Sequence, residues 1–415
     1  MLNTPNNKWK ILRFKDCVNQ LNTGLNPRKN FILGTGNLKY ITAKNLTRYG
    51  RIDFSVCDSI NCEAKKIINR RSKIQIGDIL FSSRSPIGHC HLIKENPDFY
   101  DIGESIFSIR VKKDVVLPDY FALYLTSDYF IRSASRNTTG SIISEIRIGD
   151  LMETEIIVPS LSVQMRIANC IHSIDRKIEI NEKINDNLEQ QLKMLYDYWF
   201  TQFDFPDENG NPYRSSGGTM VWNDELKREI PENWNCVSLG ELLYKNTTAF
   251  DFDSIQPTID LSVMPSSSIA LSQLNSSNMF STNLFRMKQG DILFGSIRPY
   301  LKKAGIAPCD GVVAGTVHSF STIKEYNFNF CLFTLCNEYF FEYAVKVSTG
   351  TKMPVVSCEN ILSYKVAYSP LIAKLFNTYA VKDIICQNVQ ESLKLIELRD
   401  WLLPMLMNGQ ATISD

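Results

Sequence analysis

The clearest pattern along the chain is a run of apolar and seam positions spaced alternately by four and three: Ile167, Ile171, Ile174, Ile178, Asn181, Asn185, Leu188, Leu192, Leu195 and Trp199. More than four heptads on this rule predict a long helix with a coiled-coil seam. A second run near the end follows it less cleanly, through Val381, Ile384, Asn388, Glu391, Leu395, Leu398 and Leu402. Each stripe needs a partner. Either each helix packs on its own domain, or the two pack on each other, antiparallel; the second is favoured because no domain needs a helix of ~35 residues, about 50 Å long. An Asn at a seam position fixes register at some cost in stability. A shift of 203 residues (388 − 185) superposes Asn185 on Asn388, and Asp197 on Asp400.

Outside these helices the pattern repeats. GDILFSSRSP at 77–86 recurs as GDILFGSIRP at 290–299, a shift of 213 (290 − 77). The segment 120–140 aligns with 330–350 at a shift of 210 (330 − 120), keeping Leu125/Leu335, Tyr129/Tyr339, Phe130/Phe340, Ala134/Ala344, Thr139/Thr349 and Gly140/Gly350. Collinear matches at nearly one shift imply a duplication. Each copy opens on a Trp (Trp9, Trp234) and closes on Pro159-Ser-Leu161 or Ser369-Pro-Leu371. Strand-like runs at 78–81 and 155–158, with one helix-spaced run per copy at 119–135 and 329–345, predict two α/β domains. The expected order is a domain over 1–160, a helix over 161–200, a connector over 201–229, a domain over 230–372 and a helix over 373–410. The connector's Pro206-Asp-Glu-Asn-Gly-Asn-Pro212 turn and Gly217-Gly218 pair predict a surface loop or hairpin.

Length and composition narrow the class. At 415 residues with 44% hydrophobic, 21% charged and 11% aromatic residues, the chain has the makeup of folded domains. Even its richest apolar stretch, 328–347, is interrupted by Asn329, Asn337, Glu338, Glu342 and Lys346, so no membrane span is expected. Residues 1–10 lack an apolar core before a small-residue cleavage site, and eleven scattered cysteines form no C-x-x-C pair; both suit a cytoplasmic protein with reduced thiols. The net charge of +1 hides an asymmetry: residues 1–160 carry 23 Lys+Arg against 16 Asp+Glu, a net +7, and residues 230–372 carry 10 against 11, a net −1. The first segment suits a polyanion.

Groups for catalysis are sparse. No G-x-x-x-x-G-K-[ST] loop occurs, and Gly34-Thr-Gly36 lacks the third glycine of a dinucleotide site. His89-Cys90-His91 puts two imidazoles on one face of a strand, with no second ligand pair at a metal-like spacing. Asp53, Glu63 and Lys65 are the residue types of a metal-dependent nuclease, but the second copy has no acidic residue between Asp260 and Asp291. The balance favours a binder over a stand-alone metal-dependent nuclease or a coiled-coil scaffold. For DNA, the candidate contacts are Lys39, Lys44, Asn45, Arg48, Arg84, Arg136 and Thr139 in the first copy, and Arg298, Lys302, Lys303, Lys346, Thr349 and Lys352 in the second. Arg84 and Arg298 both follow GDILF, and Lys or Arg precedes Thr-Gly in both copies.

With these residues in view, the chain resembles the specificity subunits of type I restriction-modification systems over nearly its whole length. The resemblance rests on the GDILF-S-x-R-x-P motif and its variant, the Thr-Gly loop followed by Ile146 to Leu151, and Pro-Ser-Leu with Gln164 and Arg166-Ile-Ala168. It rests also on the segment 196–234 and on the closing RDWLLPMLMNG of 399–409. It implies two target recognition domains, each reading one half of a bipartite, asymmetric site in double-stranded DNA. It further implies that the helices form an antiparallel coiled coil that sets the gap between half-sites and docks two modification subunits, with restriction subunits joining the complex. Asn181, Asn185, Leu188, Leu192, Leu195, Trp199, Asn388, Leu395, Leu398 and Leu402 would serve the spacer or the docking. The chain itself would be non-catalytic and carry no cofactor or metal; S-adenosylmethionine for adenine methylation, ATP and Mg would sit on the partners. One departure is that Ile372-Ala-Lys-Leu-Phe376 replaces a Gln-containing helix start.

Overall fold

The computed structural model describes residues 9–48, 50–134, 145–281 and 283–413. They form two compact units: one runs up to Asp175 and resumes at Ile396, and the other is Arg176–Leu395.

In the first unit, strand Lys10–Arg13 pairs antiparallel with Glu155–Val158 and so ties the start of the domain to its end. Between them lie a four-stranded sheet, in the order Val18–Thr23, Ile106–Val111, Ile79–Ser82, Cys90–Leu92, and a three-stranded one, Asp58–Ile60, Leu38–Ile41, Tyr100–Ile102, whose last pair is parallel. The second unit repeats this strand for strand. Asn235–Ser238 pairs with Lys365–Tyr368, and a four-stranded sheet follows the order Leu243–Lys245, Val317–Thr322, Ile292–Gly295, Ala304–Ile306. The other sheet, Asn275–Ser276, Pro257–Ile259, Gly311–Ala314, keeps the parallel pair and adds Leu284–Met287 at the edge.

The repeated GDILF letters have a structural cause. Gly77 (φ 90°) and Gly290 (φ 84°) turn the chain in a left-handed conformation open to glycine, and Ile-Leu-Phe then forms a strand that is buried throughout. The aspartate between them is buried and fully paired. Asp78 receives a bidentate pair from Arg110 (2.7 and 2.8 Å) and the Gln75 amide (3.0 Å). Asp291 has no arginine partner among the described residues; it accepts from Asn246, Ser319, Ser321 and the Lys288 amide at 2.5–3.0 Å. Thus the copies keep the acid and change its partners.

The helix expected in each copy is two. Pro118–Thr126 and Asp128–Ala134 are separated at Ser127, and Phe328–Leu335 and Glu338–Val347 at Cys336-Asn337. The breaks are capping events: Ser127 Oγ accepts from the Phe130 amide (3.3 Å), and Asn337 Oδ1 from the Tyr339 amide (3.0 Å). Apolar spacing carries across such a break, which is why periodicity alone merged them.

The first long helix, Leu161–Tyr196, continues through a π turn, Asp197–Thr201. The second is Val381–Met407, shorter than the expected 373–410. A separate helix, Pro370–Phe376, precedes it, because the Asn329 amide takes the Phe376 and Tyr379 carbonyls (2.9 and 2.8 Å) that a continuous helix would use. At the matching place in the first copy, buried Gln164 lies inside the helix and bonds the Leu117 amide and the Val115 and Pro159 carbonyls.

The two helices run antiparallel. In the second unit Asn388 Nδ2 donates to Asn185 Oδ1 (2.8 Å), Asn181 Nδ2 donates to Glu391 (2.8 Å), and Lys177 pairs with Glu391 (3.1 Å), so one number rises as the other falls. In the first unit Asp175 meets Arg399 at 2.9 Å in the same order. The predicted seam of the first helix is buried or half-buried at every position. The second seam needs correction: Ile384 and Leu398 are 39% and 45% exposed, and the buried line is Val381, Ile385, Val389, Ser392, Arg399 and Leu406. Ser392 and Arg399 hold seam positions because their polar groups are met, by the Asn388 carbonyl (2.8 Å) and by Asp175 and Asp400. A search restricted to apolar letters passes over them.

Each long helix ends in an aromatic or aliphatic core. Tyr196, Trp199 and Phe200 pack with Phe330, Phe333 and Phe376 in the second unit, and Leu402, Leu403, Leu406 and Met407 join the first-domain core. The connector is less superficial than its composition implies. Phe203 and Phe205 are buried and pack against Trp234, ahead of the hairpin Met220–Asn223/Arg228–Pro231.

Candidate nucleic-acid interface

In both copies the loop after GDILF is stitched to the segment that follows the Thr-Gly loop. The Ile146 amide donates to the Ser83 carbonyl (2.8 Å) in the first, and the Val356 amide to the Ser296 carbonyl (2.9 Å) in the second. The amides of the same serines donate to the carbonyls of Ser105 and Thr316, both at 3.0 Å. Segments about 60 residues apart in the chain are therefore neighbours in space, as Arg84↔Glu145 and Ile297↔Val355 bridges. Arg136 and Thr139 lie outside the described residues.

This stitching aligns the copies residue by residue, and the arginines do not coincide. Ser83 matches Ser296, so Arg84 matches Ile297 and Arg298 matches Ser85. Arg84 pairs with Glu104 (2.9 Å) and Glu145 (3.2 Å). Arg298 is exposed, sits at φ 52°, and makes no ion pair among the described residues. The stagger is legible in the letters, SSRSP over GSIRP.

The remaining cations divide into tethered and open ones. Lys302 pairs with Glu338 (2.6 Å) and Lys303 donates to the Leu261 carbonyl (2.6 Å), which pins the loop rather than presenting charge. Lys346, Thr349 and Lys352 are exposed, the last two on the loop bonded to Val355. In the first domain Lys44 and Arg48 are exposed, and Lys39 is half-buried on strand Leu38–Ile41. Asn45 differs: it is 4% exposed, and its Oδ1 accepts from the Thr42 amide and hydroxyl, both at 2.8 Å. It caps the turn that carries Lys44 and is not on the surface.

The histidines hold this basic turn. His89 Nδ1 lies 2.6 Å from the Leu46 carbonyl and His91 Nδ1 2.7 Å from the Gly50 carbonyl, so the paired imidazoles of one strand clasp backbone on either side of Arg48. Asp53, Glu63 and Lys65 are not drawn together by bonds: Asp53 caps Ser55, and Lys65 donates to the Pro97 and Asp98 carbonyls. Among the described residues no three His, Cys, Asp or Glu side chains converge as a metal site, and no helix is long and apolar enough to cross a membrane.

Two buried titratable groups distinguish the copies. Burial pushes the Asp101 carboxyl up to about 7; its Oδ1 accepts from the Ile102 amide, and its Oδ2 has no partner among the described residues. The parallel pairing puts Val312 at the matching place in the second copy. Burial, with Lys245 nearby, pushes the His318 imidazole down to about 4. It pairs with Phe294 across the sheet, as Phe107 pairs with Phe81 in the first copy.

Known proteins share this architecture. Residues 6–190, the first copy and most of the first long helix, match the family model of the type I restriction modification DNA specificity domain. The MjaIX type I restriction enzyme specificity subunit of Methanocaldococcus jannaschii is 25% identical, over 98% of this chain and 94% of that protein. The HindI specificity subunit of Haemophilus influenzae is 30% identical over 34% of this chain and 30% of that protein. The crystal structure of a type I restriction-modification S subunit from M. genitalium covers 100% of this chain and 99% of that one, with a TM-score of 0.53 at 16% identity, and so shares the fold. A duplicated domain with stitched loops and two antiparallel long helices go with these likenesses: residues 6–190 match a type I restriction modification DNA specificity domain, and the chain is similar over nearly its whole length to a type I restriction enzyme specificity subunit.

Proposed function

We propose that each domain reads one half of a bipartite, asymmetric DNA site, and that the long helices set the gap between the halves and dock two modification subunits. The observation that carries this reading is the duplication: one scaffold occurs twice, strand for strand, while the exposed side chains on it differ, as Lys44 and Arg48 do from Ser262 and Ser266, their counterparts when Ile41 is matched with Ile259. Two equal scaffolds with unequal surfaces suit two unequal half-sites. The open cations of both copies would meet phosphates, and side chains of the surrounding loops would meet base edges.

In this reading the chain performs no chemistry. S-adenosylmethionine, for adenine methylation, belongs to the modification subunits, and ATP with Mg to the restriction subunits. The outward Leu398, with Trp401 (59% exposed) one turn face away, offers apolar area for a modification subunit on the second helix. The assembly would work on chromosomal DNA in the cytoplasm. The test is to co-express the chain with its modification subunit in a host lacking DNA methylation and to map methylated adenines. One bipartite motif with a fixed gap is expected; methylation by the chain alone would overturn the non-catalytic assignment.

A further inference from the structure

The stitched loops of the two copies differ by one residue step, and that step separates two jobs. Arg84 sits at a bridged position opposite Glu145, whereas Arg298 follows the bridged Ile297 and has a left-handed backbone (φ 52°), so moving the arginine by one position redirects its guanidinium. At the earlier position Arg84, its side chain 42% exposed, shares its charge with Glu104 and Glu145. The second copy lacks all three groups. Ile297 stands for Arg84, Val355 for Glu145, and Gly315, which precedes Thr316, for Glu104.

Arg298 occupies the later position instead. Its amide donates to the Pro354 carbonyl (2.7 Å), and its left-handed backbone opens a short turn, Pro299–Leu301, closed by a second left-handed residue, Lys302 (φ 52°). Non-glycine residues in this region cost roughly 1–2 kcal/mol each and persist only where surroundings hold them. Here the holding groups are visible: Lys302 pairs with Glu338, its carbonyl accepts from the Ser267 amide (2.9 Å), and Lys303 is bonded to Leu261. The result is a braced protrusion that presents one guanidinium, unneutralised among the described residues, beside the loop carrying exposed Thr349, Thr351 and Lys352.

We propose that Arg298 is a DNA phosphate contact of the second domain, and that Arg84 is an internal brace of the first with no DNA contact. This rests on the DNA-reading function proposed above and names residues within it. Phosphate is favoured over a base for two reasons. A guanidinium fork fits phosphate bidentately, and Ser/Thr hydroxyls and Lys are its usual companions on the DNA backbone. The stitched loop also belongs to the scaffold shared by both copies, which is ill suited to telling half-sites apart.

The test measures affinity against NaCl concentration for the full chain with its modification subunit, on a duplex bearing the mapped motif and on one of unrelated sequence. R298Q should weaken both duplexes by a similar factor, about 5–10-fold near physiological salt, and flatten the slope of log affinity against log salt by about one. R298K should recover part of the loss, and the melting temperature of R298Q should stay at the wild-type value. R84Q should keep the wild-type slope and lower the melting temperature. An R298Q complex with unchanged affinity and slope, a loss confined to the motif duplex, or a flattened slope in R84Q would each overturn the assignment. Salt-insensitive or absent DNA binding by the wild-type complex would instead bring down the function on which it rests.

Discussion

At the residue scale, the letters most conspicuous as a motif turn out to serve the fold. GDILF repeats because a left-handed glycine, a buried acid and a buried strand must recur wherever the scaffold recurs. Sequence alone shows the recurrence but not the partners, since Arg110 lies 32 residues from Asp78 and Asn246 lies 45 from Asp291. The partners differ enough to predict unequal costs. Asp78→Ala strands Arg110, whose side chain is 29% exposed, and should cost about 3 kcal/mol in denaturant unfolding; Asp291→Ala strands only neutral groups and should cost about 1–2 kcal/mol. Equal losses would contradict the ion-pair account. Asp101 and His318 predict opposite pH dependences. A carboxyl raised to about 7 in the fold favours its protonated form there, so its stability contribution is present below the unfolded value near 4 and is lost as pH rises toward 7. Asp101→Asn should therefore gain on wild type at pH 8 and not at pH 4. An imidazole lowered to about 4 binds its proton more readily when unfolded, so stability is lost as pH falls from about 6.5 to 4, by up to about 3 kcal/mol. His318→Phe, the residue type of the first copy, should remove that slope in melting curves between pH 4 and 7.

Among the elements, legibility followed how much of each signal is local. The first seam was readable because its apolar letters and two asparagines keep a 4-3 spacing from Ile167 to Trp199. The second lies one position away from its apolar letters because Ser392 and Arg399 belong to it, paired with groups on both helices that periodicity does not see. The helix breaks at Ser127 and Asn337 carry a local signal, a capping residue before Asp or Glu, but the apolar spacing runs on through both. The Asn185–Asn388 contact joins residues equivalent in the duplication, so each meets its own counterpart. A buried amide pair favours one register because a slip would leave both amides unpaired against apolar neighbours. Replacing both by Leu should raise the melting temperature by several degrees, while adenine methylation mapping should now find sites with more than one gap length. A stabilised variant that still used a single gap would assign the register to the flanking domains instead of the amides.

For the whole molecule, the duplication made the architecture legible while leaving the DNA surface mostly hidden, and one physical reason covers both. Scaffold positions must satisfy the same packing in each copy, so they repeat; contact positions are free of that demand, so they do not. The candidates drawn from residue type mixed both kinds: Lys44, Arg48, Arg298, Lys346 and Lys352 are open, whereas Asn45, Arg84, Lys302 and Lys303 serve the loops that carry them. The helices carry the sharpest test at this scale. Four extra residues near Asn185 add about 6 Å of helix, and a four-residue step is one the 4-3 seam absorbs as a stutter. At about 3.4 Å per base pair, the gap between half-sites should change by one or two base pairs with both half-sites unchanged, as read from the methylated-adenine map. Two domains that kept their half-sites while the gap moved would show that recognition and spacing reside in separate parts of the chain. Altered half-sites would mean that the helices shape the reading surfaces, so that recognition and spacing are not separable.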